Sequence, residues 1–174
     1  MKRRVSMESD LAKDTHRTSR NYAIMQTVLL CAFAGGFILD DSRRLLAGGM
    51  PGAVGAVLCA SGLLLMLLAF ASIGGVIQIA PEPRADGQLV TRGVYSRLRH
   101  PIYTAIVILV VGLFLRKPTV LVAIGAAVVV ASLIVKVRFE EQLLLRRYSE
   151  YAEYRRRTWG IVPWPRREPS QTRS

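Results

Sequence analysis

The chain is poor in the residues that build metal centres, disulfides and nucleotide-binding loops in water-soluble proteins. Its 174 residues include two cysteines and two histidines, and 12 acidic residues stand against 24 lysines and arginines. Cys31 and Cys59 both fall within apolar runs, which indicates small packing residues and no disulfide. The two histidines are far apart and lack partner ligands, so we expect no metal site. No Gly-x-Gly-x-x-Gly segment occurs, which excludes a Rossmann cofactor domain.

Long segments without any charge dominate the remainder. They cover residues 21–39, 45–81, 101–115 and 118–135. A helix needs roughly 20 apolar residues to cross the hydrocarbon core of a bilayer. The first and fourth segments meet that length, the second exceeds it, and the third is short. The pattern predicts an all-α polytopic membrane protein with about four transmembrane helices and a cytoplasmic C-terminal helical extension.

The basic residues are distributed unevenly between the loops. The N-terminal segment, the second loop and the C-terminal segment together hold 20 of the 24 lysines and arginines. By the positive-inside rule, both termini lie in the cytoplasm. This explains the net charge of +12 without nucleic acid, which we do not expect as a partner. The membrane would be the cell membrane in a prokaryote and the endoplasmic reticulum in a eukaryote.

Changes in composition divide the chain into four parts. We predict an N-terminal cytoplasmic tail (1–20), disordered or interfacial, and two N-terminal transmembrane helices (21–80). A core of a helical hairpin and a C-terminal helix (81–165) follows, and then a C-terminal tail (166–174).

Helix boundaries follow from Pro and Gly. We expect helix one from about Tyr22, helix two from near Pro51 towards Ile79, and helix three from Pro101, where a missing N–H costs nothing. Pro118 is predicted to open helix four. Because residues 126–157 contain no Gly or Pro, helix four is expected to continue through Tyr148 and Tyr151 until Gly160 and Pro163 end it.

Two short motifs bracket the predicted hairpin. Arg99-His100-Pro101-Ile102-Tyr103 stands at its entrance and Glu140-Glu141 at its exit. Taken singly, the first is typical of basic residues beside a membrane, and the second of solvated carboxylates paired with Lys136 and Arg138. Charge at a membrane-sized hairpin is expensive, and the two motifs together indicate a functional site.

These motifs resemble the membrane methyltransferases that include isoprenylcysteine carboxyl methyltransferase and phosphatidylethanolamine N-methyltransferase. The resemblance covers residues 80–165. It includes the lead-in 89–95, the Arg-His-Pro-x-Tyr step, the Glu pair, and the tail of Tyr148, Tyr151, Tyr154 and Pro163. Ala105 and Ser149 stand where that family commonly has Gly.

The resemblance implies an S-adenosyl-L-methionine-dependent methyltransferase, with the cofactor as co-substrate between hairpin and C-terminal helix. It carries the cofactor-binding role to His100, Pro101, Tyr103, Glu140 and Glu141. We expect Glu140 or Glu141 to take the cofactor ammonium. We further expect Arg99 to help hold the cofactor carboxylate, and Tyr103 to pack on the adenosine. The positioning candidates are Arg99, Glu141 and Tyr151.

A lipophilic or prenylated acceptor, entering sideways from the bilayer, is also implied. An isoprenylcysteine-type carboxylate is the acceptor we favour, and a phospholipid amine or a thiol remains an alternative. A non-catalytic membrane scaffold is the rival from another class. A sterol reductase-like enzyme with a nicotinamide cofactor is a weaker rival, because such chains are usually longer.

Overall fold

The computed structural model describes residues 2–42, 49–73 and 89–161, and this part of the chain is helical. Its elements are α1 (Lys2–Leu39), α2 (Gly49–Ile73), a 3₁₀ turn (Gly93–Ser96), α3 (Pro101–Arg116), α4 (Val120–Arg147) and α5 (Tyr151–Arg157). Three helices are long and apolar enough to cross a membrane, namely Arg17–Leu39 within α1, α2, and α4. The 16 residues of α3 form a shorter apolar helix. The predicted all-α polytopic architecture is confirmed.

The membrane helices lie in the spatial order α2, α3, α4, α1. α2 packs mainly on α3, α1 packs on α4, and α3 and α4 share a smaller contact beside their connecting turn. The core between α1, α3 and α4 is apolar, and its buried members are Phe33, Val110, Val122, Val129 and Leu133. Leu and Val side chains elsewhere on α2 and α4 are exposed. In a bilayer these exposed apolar faces contact lipid.

Small residues bring α2 and α3 into close contact. A Cβ added at Gly112 would lie 2.8 Å from both the Gly55 carbonyl oxygen and the Cys59 Sγ. One added at Gly62 would lie 3.0 Å from the carbonyl oxygen of Ala105, which is fully buried. Such small-residue contacts let helix backbones approach closely in membranes. Ala105, at the position where the resembled family has Gly, is accommodated because its neighbour on α2 is Gly62.

Polar contacts join the end of α1 to the α3–α4 turn. The Lys117 ammonium donates to the carbonyl oxygens of Phe37 and Asp40 and lies 5.7 Å from the Phe37 ring centroid. The Thr119 hydroxyl donates to Asp40 Oδ2 and accepts from the Val122 N–H, which makes Thr119 the N-cap of α4. Hydrogen bonds from Ser42 and Thr119 hold the pKa of the Asp40 carboxyl below its usual range. Lys117 of the α3–α4 turn thus supplies hydrogen-bond donors to two carbonyl oxygens at the C-terminal end of α1.

Two predicted helix starts differ from the structure. α1 begins at Lys2 and not near Tyr22, so residues 2–20 are helical and not disordered. They contain no Gly or Pro, and nothing in their composition stops a membrane helix from propagating towards the N-terminus. α4 begins at Val120 and not at Pro118, because the Thr119 side chain caps it. The predicted start of α3 at Pro101 is confirmed.

The predicted continuous helix through Tyr148 and Tyr151 is wrong. α4 ends at Arg147, its last turn is closed by the Tyr148 N–H on the Leu144 carbonyl, and α5 begins at Tyr151. Tyr148 has extended backbone angles, so the chain turns there without Gly or Pro. The physical reason is tertiary, because α5 packs back on the α3 entrance. Pro163, the tail 166–174 and the course of helix two towards Ile79 lie outside the described residues, and the four-part division of the chain stays a prediction.

Candidate active site

The entrance of α3 is shaped by the 3₁₀ turn and by a proline. Gly93 has φ of +61°, a conformation that L side chains rarely adopt, and the next N–H, of Val94, donates to the Ser72 hydroxyl on α2 at 3.3 Å. This contact ties the turn to the membrane bundle. His100 is then the N-cap of α3 and Pro101 its first residue, and both are buried. The imidazole therefore points into the protein at the end of the hairpin.

Glu141 is the centre of a cluster of basic side chains. Its Oε1 accepts from Arg99 Nε at 2.9 Å and lies 3.4 Å from His100 Nε2. Its Oε2 lies 3.5 Å from Arg155 Nε on α5. The contact with His100 is within ion-pair distance but lacks hydrogen-bond geometry, since Nε2 is buried without a hydrogen-bond partner in the described chain. Glu141 thus joins α4, α5 and the entrance of α3.

Glu140 faces a different set of side chains. Its Oε1 accepts from the Tyr103 hydroxyl at 2.7 Å and lies 3.9 Å from Lys136 Nζ, while its Oε2 lies 4.0 Å from His100 Nδ1. The His100 and Tyr103 rings are stacked with centroids 5.7 Å apart. Neighbouring helical residues point about 100° apart. The two carboxylates therefore use different partners and share only His100.

The segment 151–161, which we term the C-terminal strap, folds over the α3 entrance. The backbone of Trp159 bonds with Arg97 and Arg99, with N···O distances of 2.8 and 2.7 Å. The Arg99 guanidinium donates through Nη1 to the carbonyl oxygens of Arg155 and Thr158. These are carbonyls at the end of α5, so Arg99 acts as a C-terminal cap for that helix.

Two side-chain hydroxyls add to the attachment of the strap. The Thr104 hydroxyl on α3 donates to the Ile161 carbonyl at 2.7 Å, and the Tyr154 hydroxyl donates to the Tyr95 carbonyl at 2.7 Å. Burial raises the pKa of Tyr95 and of Tyr154 to about 12. Both phenols are therefore neutral at physiological pH, and Tyr154 keeps the proton that it donates.

Tyr151 occupies the centre of the strap interface. Its side chain is 1% exposed, and its hydroxyl has no hydrogen-bond partner in the described chain. Burial, and then the nearby charge of Glu141, raises the pKa of Tyr151. A neutral phenol can act both as a hydrogen-bond donor and as an acceptor.

The structure brings the residues singled out from the sequence into one place. These residues are Arg99, His100, Pro101, Tyr103, Glu140, Glu141 and Tyr151. Sequence reasoning underrated Lys136, which it treated only as a surface partner of the Glu pair although its side chain is buried. It missed Arg155 and Thr104. Lys136 could have been found from the sequence, because it is a charged residue next to a long apolar segment. An ionisable residue within a membrane helix indicates a functional site by default.

An all-helical membrane fold with a buried charged site at the mouth of an apolar hairpin is the arrangement expected of an integral membrane methyltransferase. The family model for phospholipid methyltransferase matches residues 51–151, and the chain belongs to this family. The matched region includes α2 except for its first two residues, the hairpin, the Glu pair and the first residue of α5.

One curated relative extends the match beyond that region. The chain is 30% identical over 156 residues to the nickel-cobalt-cadmium resistance protein NccN of Alcaligenes xylosoxydans xylosoxydans. The match covers 85% of this chain and 65% of that protein, so the chain spans less than two thirds of its relative's length. No solved structure matches the chain.

Proposed function

We propose that this protein is an integral membrane, S-adenosyl-L-methionine-dependent methyltransferase that acts on a lipophilic acceptor, an isoprenylcysteine-type carboxylate. One observation carries the proposal. The Arg99–Tyr103 step and the Glu140–Glu141 pair, 37 or more residues apart in sequence, meet in one buried site through the Arg99–Glu141 and Tyr103–Glu140 hydrogen bonds. Membership of the methyltransferase family supports the reaction class.

The side chains present fit the cofactor by their chemistry. An ammonium needs acceptors, and Glu140 offers a carboxylate that accepts one hydrogen bond from a protein hydroxyl. A carboxylate needs donors, and His100 Nε2 and the Tyr151 hydroxyl are buried without hydrogen-bond partners in the described chain. Arg99 Nε and Nη1 are engaged by protein acceptors, so we assign Arg99 to positioning. Tyr103, stacked beside His100, presents an aromatic face for the adenosine.

S-adenosylmethionine supplies an electrophilic methyl group on a sulfonium, and its transfer to a carboxylate oxygen gives a methyl ester and a neutral thioether. The protein's own residues orient the cofactor and the acceptor and enclose them. Glu141 and Arg99 hold the strap on the α3 entrance. Positioning of this kind supplies much of the rate in group transfer. A carboxylate acceptor needs no proton removed, so we assign no general base.

One alternative acceptor has specific support. The description of the matched family names phospholipids, which favours a phospholipid amine as acceptor, and a thiol acceptor fits the same site.

The name of the relative connects it with nickel, cobalt and cadmium resistance. Among the described residues no group of three or more His, Cys, Asp or Glu could hold a metal ion.

The orientation that we propose places both termini and the site on the cytoplasmic side. The strap and the end of α4 carry arginines, while the two loops at the opposite end, around Asp40, carry four of the 24 lysines and arginines. A cytoplasmic site has direct access to a water-soluble cofactor, and a lipophilic acceptor reaches it from the bilayer.

Calorimetric titration of S-adenosylhomocysteine into protein in lipid nanodiscs tests the proposal. We expect saturable binding by the wild type and loss of at least ten-fold in affinity for His100→Ala. Leu145→Ala, at an exposed position of α4, serves as the matched control and should bind normally. Absence of binding by folded wild-type protein would favour the non-catalytic scaffold.

A further inference from the structure

Lys136 is a buried cation within a membrane helix whose charge the site does not fully satisfy. The residue is 7% exposed. Its Nζ lies 3.9 Å from Glu140 Oε1, beyond hydrogen-bond distance, and 5.1 Å from the centroid of the Tyr103 ring. Neither contact is a hydrogen bond. An ammonium has three donors, so Lys136 keeps donors for a further partner.

The charge balance of the site favours an anion as that partner. Within the described residues, two buried cations (Arg99 and Lys136) and the half-exposed Arg155 contact two carboxylates. Glu141 is shared by the two arginines, which leaves Glu140 as the counterion of Lys136. If Glu140 binds the cofactor ammonium, as proposed above, Lys136 loses much of its neutralisation. A buried charge without a counterion is costly.

Depth in the membrane distinguishes Lys136 from the cofactor-binding residues. It precedes Glu140 by one turn of α4, which places it about 6 Å closer to the bilayer centre. The cofactor arrives from water and the acceptor from lipid, so the deeper cation faces the acceptor side of the site.

The neighbouring face of α1 is also polar and rich in donors. The Ser132 hydroxyl, one turn before Lys136 on α4, lies 2.7 Å from the Val129 carbonyl oxygen and 3.0 Å from Gln26 Oε1. This leaves the Gln26 amide nitrogen, which is buried without a partner in the described chain, and Ser19 Oγ on the same helix is buried and unpartnered as well. Tyr22, between them, packs on Phe139 with ring centroids 5.2 Å apart, so this α1 face contacts α4 beside the site. Unpaired donors in a membrane interior favour an oxygen-rich anionic ligand.

We propose that Lys136 is the specificity residue of this protein, and that it binds the anionic headgroup of the lipophilic acceptor and disfavours cationic amines. This inference rests on the proposed function, which supplies the reaction but assigns Lys136 no part in it. The Lys136 ammonium holds the acceptor anion beside the Tyr103 ring, one helical turn deeper in the membrane than Glu140. A protonated amine at that position would meet an uncompensated positive charge.

The test compares three ligands that share one farnesyl thioether tail and end in a carboxylate, a carboxamide or an amine. Their affinities are measured in nanodiscs, with the protein loaded with S-adenosylhomocysteine and without it. We expect the wild type to bind the carboxylate at least ten-fold more tightly than the carboxamide, and the amine most weakly. Lys136→Met should abolish the preference for the carboxylate, and Lys136→Arg should retain most of it.

Failure of this inference is distinguishable from failure of the proposed function. Equal binding of carboxylate and carboxamide by the wild type, or an unchanged preference in Lys136→Met, would overturn the role of Lys136 even where S-adenosylhomocysteine binds. Preference for the amine would overturn it too. A preference for the carboxylate that depends on Lys136 in protein that does not bind S-adenosylhomocysteine would support the anion site and contradict the methyltransferase. If Lys136→Met does not fold, Lys136→Gln and the comparison of ligands on the wild type decide the question.

Discussion

At the residue scale, two adjacent carboxylates have acquired different environments. Glu141 is bound by arginines from two other segments, whereas Glu140 meets a phenol, a distant ammonium and an imidazole. The arginines around Glu141 hold the strap, so this carboxylate is already committed to structure. Glu140 has weaker charge partners and is the better ligand for an incoming cation.

This difference predicts separate outcomes for two isosteric substitutions. On the proposed role, Glu140→Gln removes a charge-assisted hydrogen bond to the cofactor ammonium, worth about 1.5–3 kcal/mol. We therefore expect affinity for S-adenosylhomocysteine to fall by roughly 10- to 150-fold. Glu141→Gln should chiefly lower the thermal stability, because Arg99 and Arg155 lose their shared counterion. Calorimetry and thermal unfolding in detergent measure both effects, and normal binding by both variants would contradict the assignment.

From the sequence, the candidate site could be predicted only for the residues that belong to its two motifs. Arg99, His100 and Glu140 stand out because charge beside a membrane hairpin is expensive. The partners of Arg99 could not be read in the same way, since two of them are main-chain carbonyls of Arg155 and Thr158. Every residue carries a carbonyl, and only the path of the chain decides which one lies within reach.

At the scale of helices, the α2–α3 contact depends on the absence of side chains. A methyl group at Gly112 would meet the Gly55 carbonyl and Cys59 Sγ at 2.8 Å, a distance that real Cβ atoms do not show. We expect Gly112→Ala to separate the helices and destabilise the protein by about 1–3 kcal/mol. Gly52→Ala, where nothing lies within 4 Å, is the matched control and should be neutral or slightly stabilising. Unfolding in mixed detergent measures the difference, and equal stability of the two variants would contradict the close approach.

The strap provides a second prediction for a single element. Tyr154→Phe removes the hydrogen bond to the Tyr95 carbonyl, worth about 1 kcal/mol. Backbone amides of Arg99 and Trp159 should then exchange hydrogen roughly five-fold faster, as measured by mass spectrometry. The wild type should show the same loosening as pH rises above about 10, the ordinary pKa of a tyrosine. The folded pKa of Tyr154 is raised to about 12, so unfolded protein releases the proton first and stability falls with rising pH.

Tyr154→Phe should reduce this dependence, and Tyr22→Phe, whose ring packs on Phe139 of α4, should leave it unchanged. Identical exchange in Tyr154→Phe and the wild type would show that the hydroxyl does not hold the strap.

Helix boundaries could be predicted from the sequence where the length of an apolar segment or a proline determines them. The start of α3 at Pro101 follows from chain chemistry alone. The break after Arg147 does not, because Tyr148-Ser149-Glu150 has no strong helix-stopping residue and the turn is stabilised by the packing of Tyr151 and Tyr154 on distant segments. Local propensity and tertiary contact disagree there, and tertiary contact determines the structure.

At the scale of the whole molecule, the two ends of the helix bundle differ in how their polar groups are used. The end with Lys117, Thr119 and Asp40 closes on itself through side-chain and main-chain hydrogen bonds. The other end contains the buried charges, the unpartnered polar atoms and the strap. The side of the membrane that each end faces therefore decides whether the site meets a cytoplasmic cofactor.

Two matched Ser→Cys substitutions test the orientation. Ser42 and Ser149 are both exposed and lie at opposite ends of the bundle, one beside Asp40 and the other between α4 and α5. In a background with Cys31→Ala and Cys59→Ala, expressed in a bacterial inner membrane, a membrane-impermeant maleimide is applied to spheroplasts. By the positive-inside rule, Ser42→Cys should be labelled at once and Ser149→Cys only after permeabilisation. The cysteine-free parent gives the background. The reverse pattern would place the site on the side without the cofactor and would contradict the proposed orientation, whatever the purified protein binds.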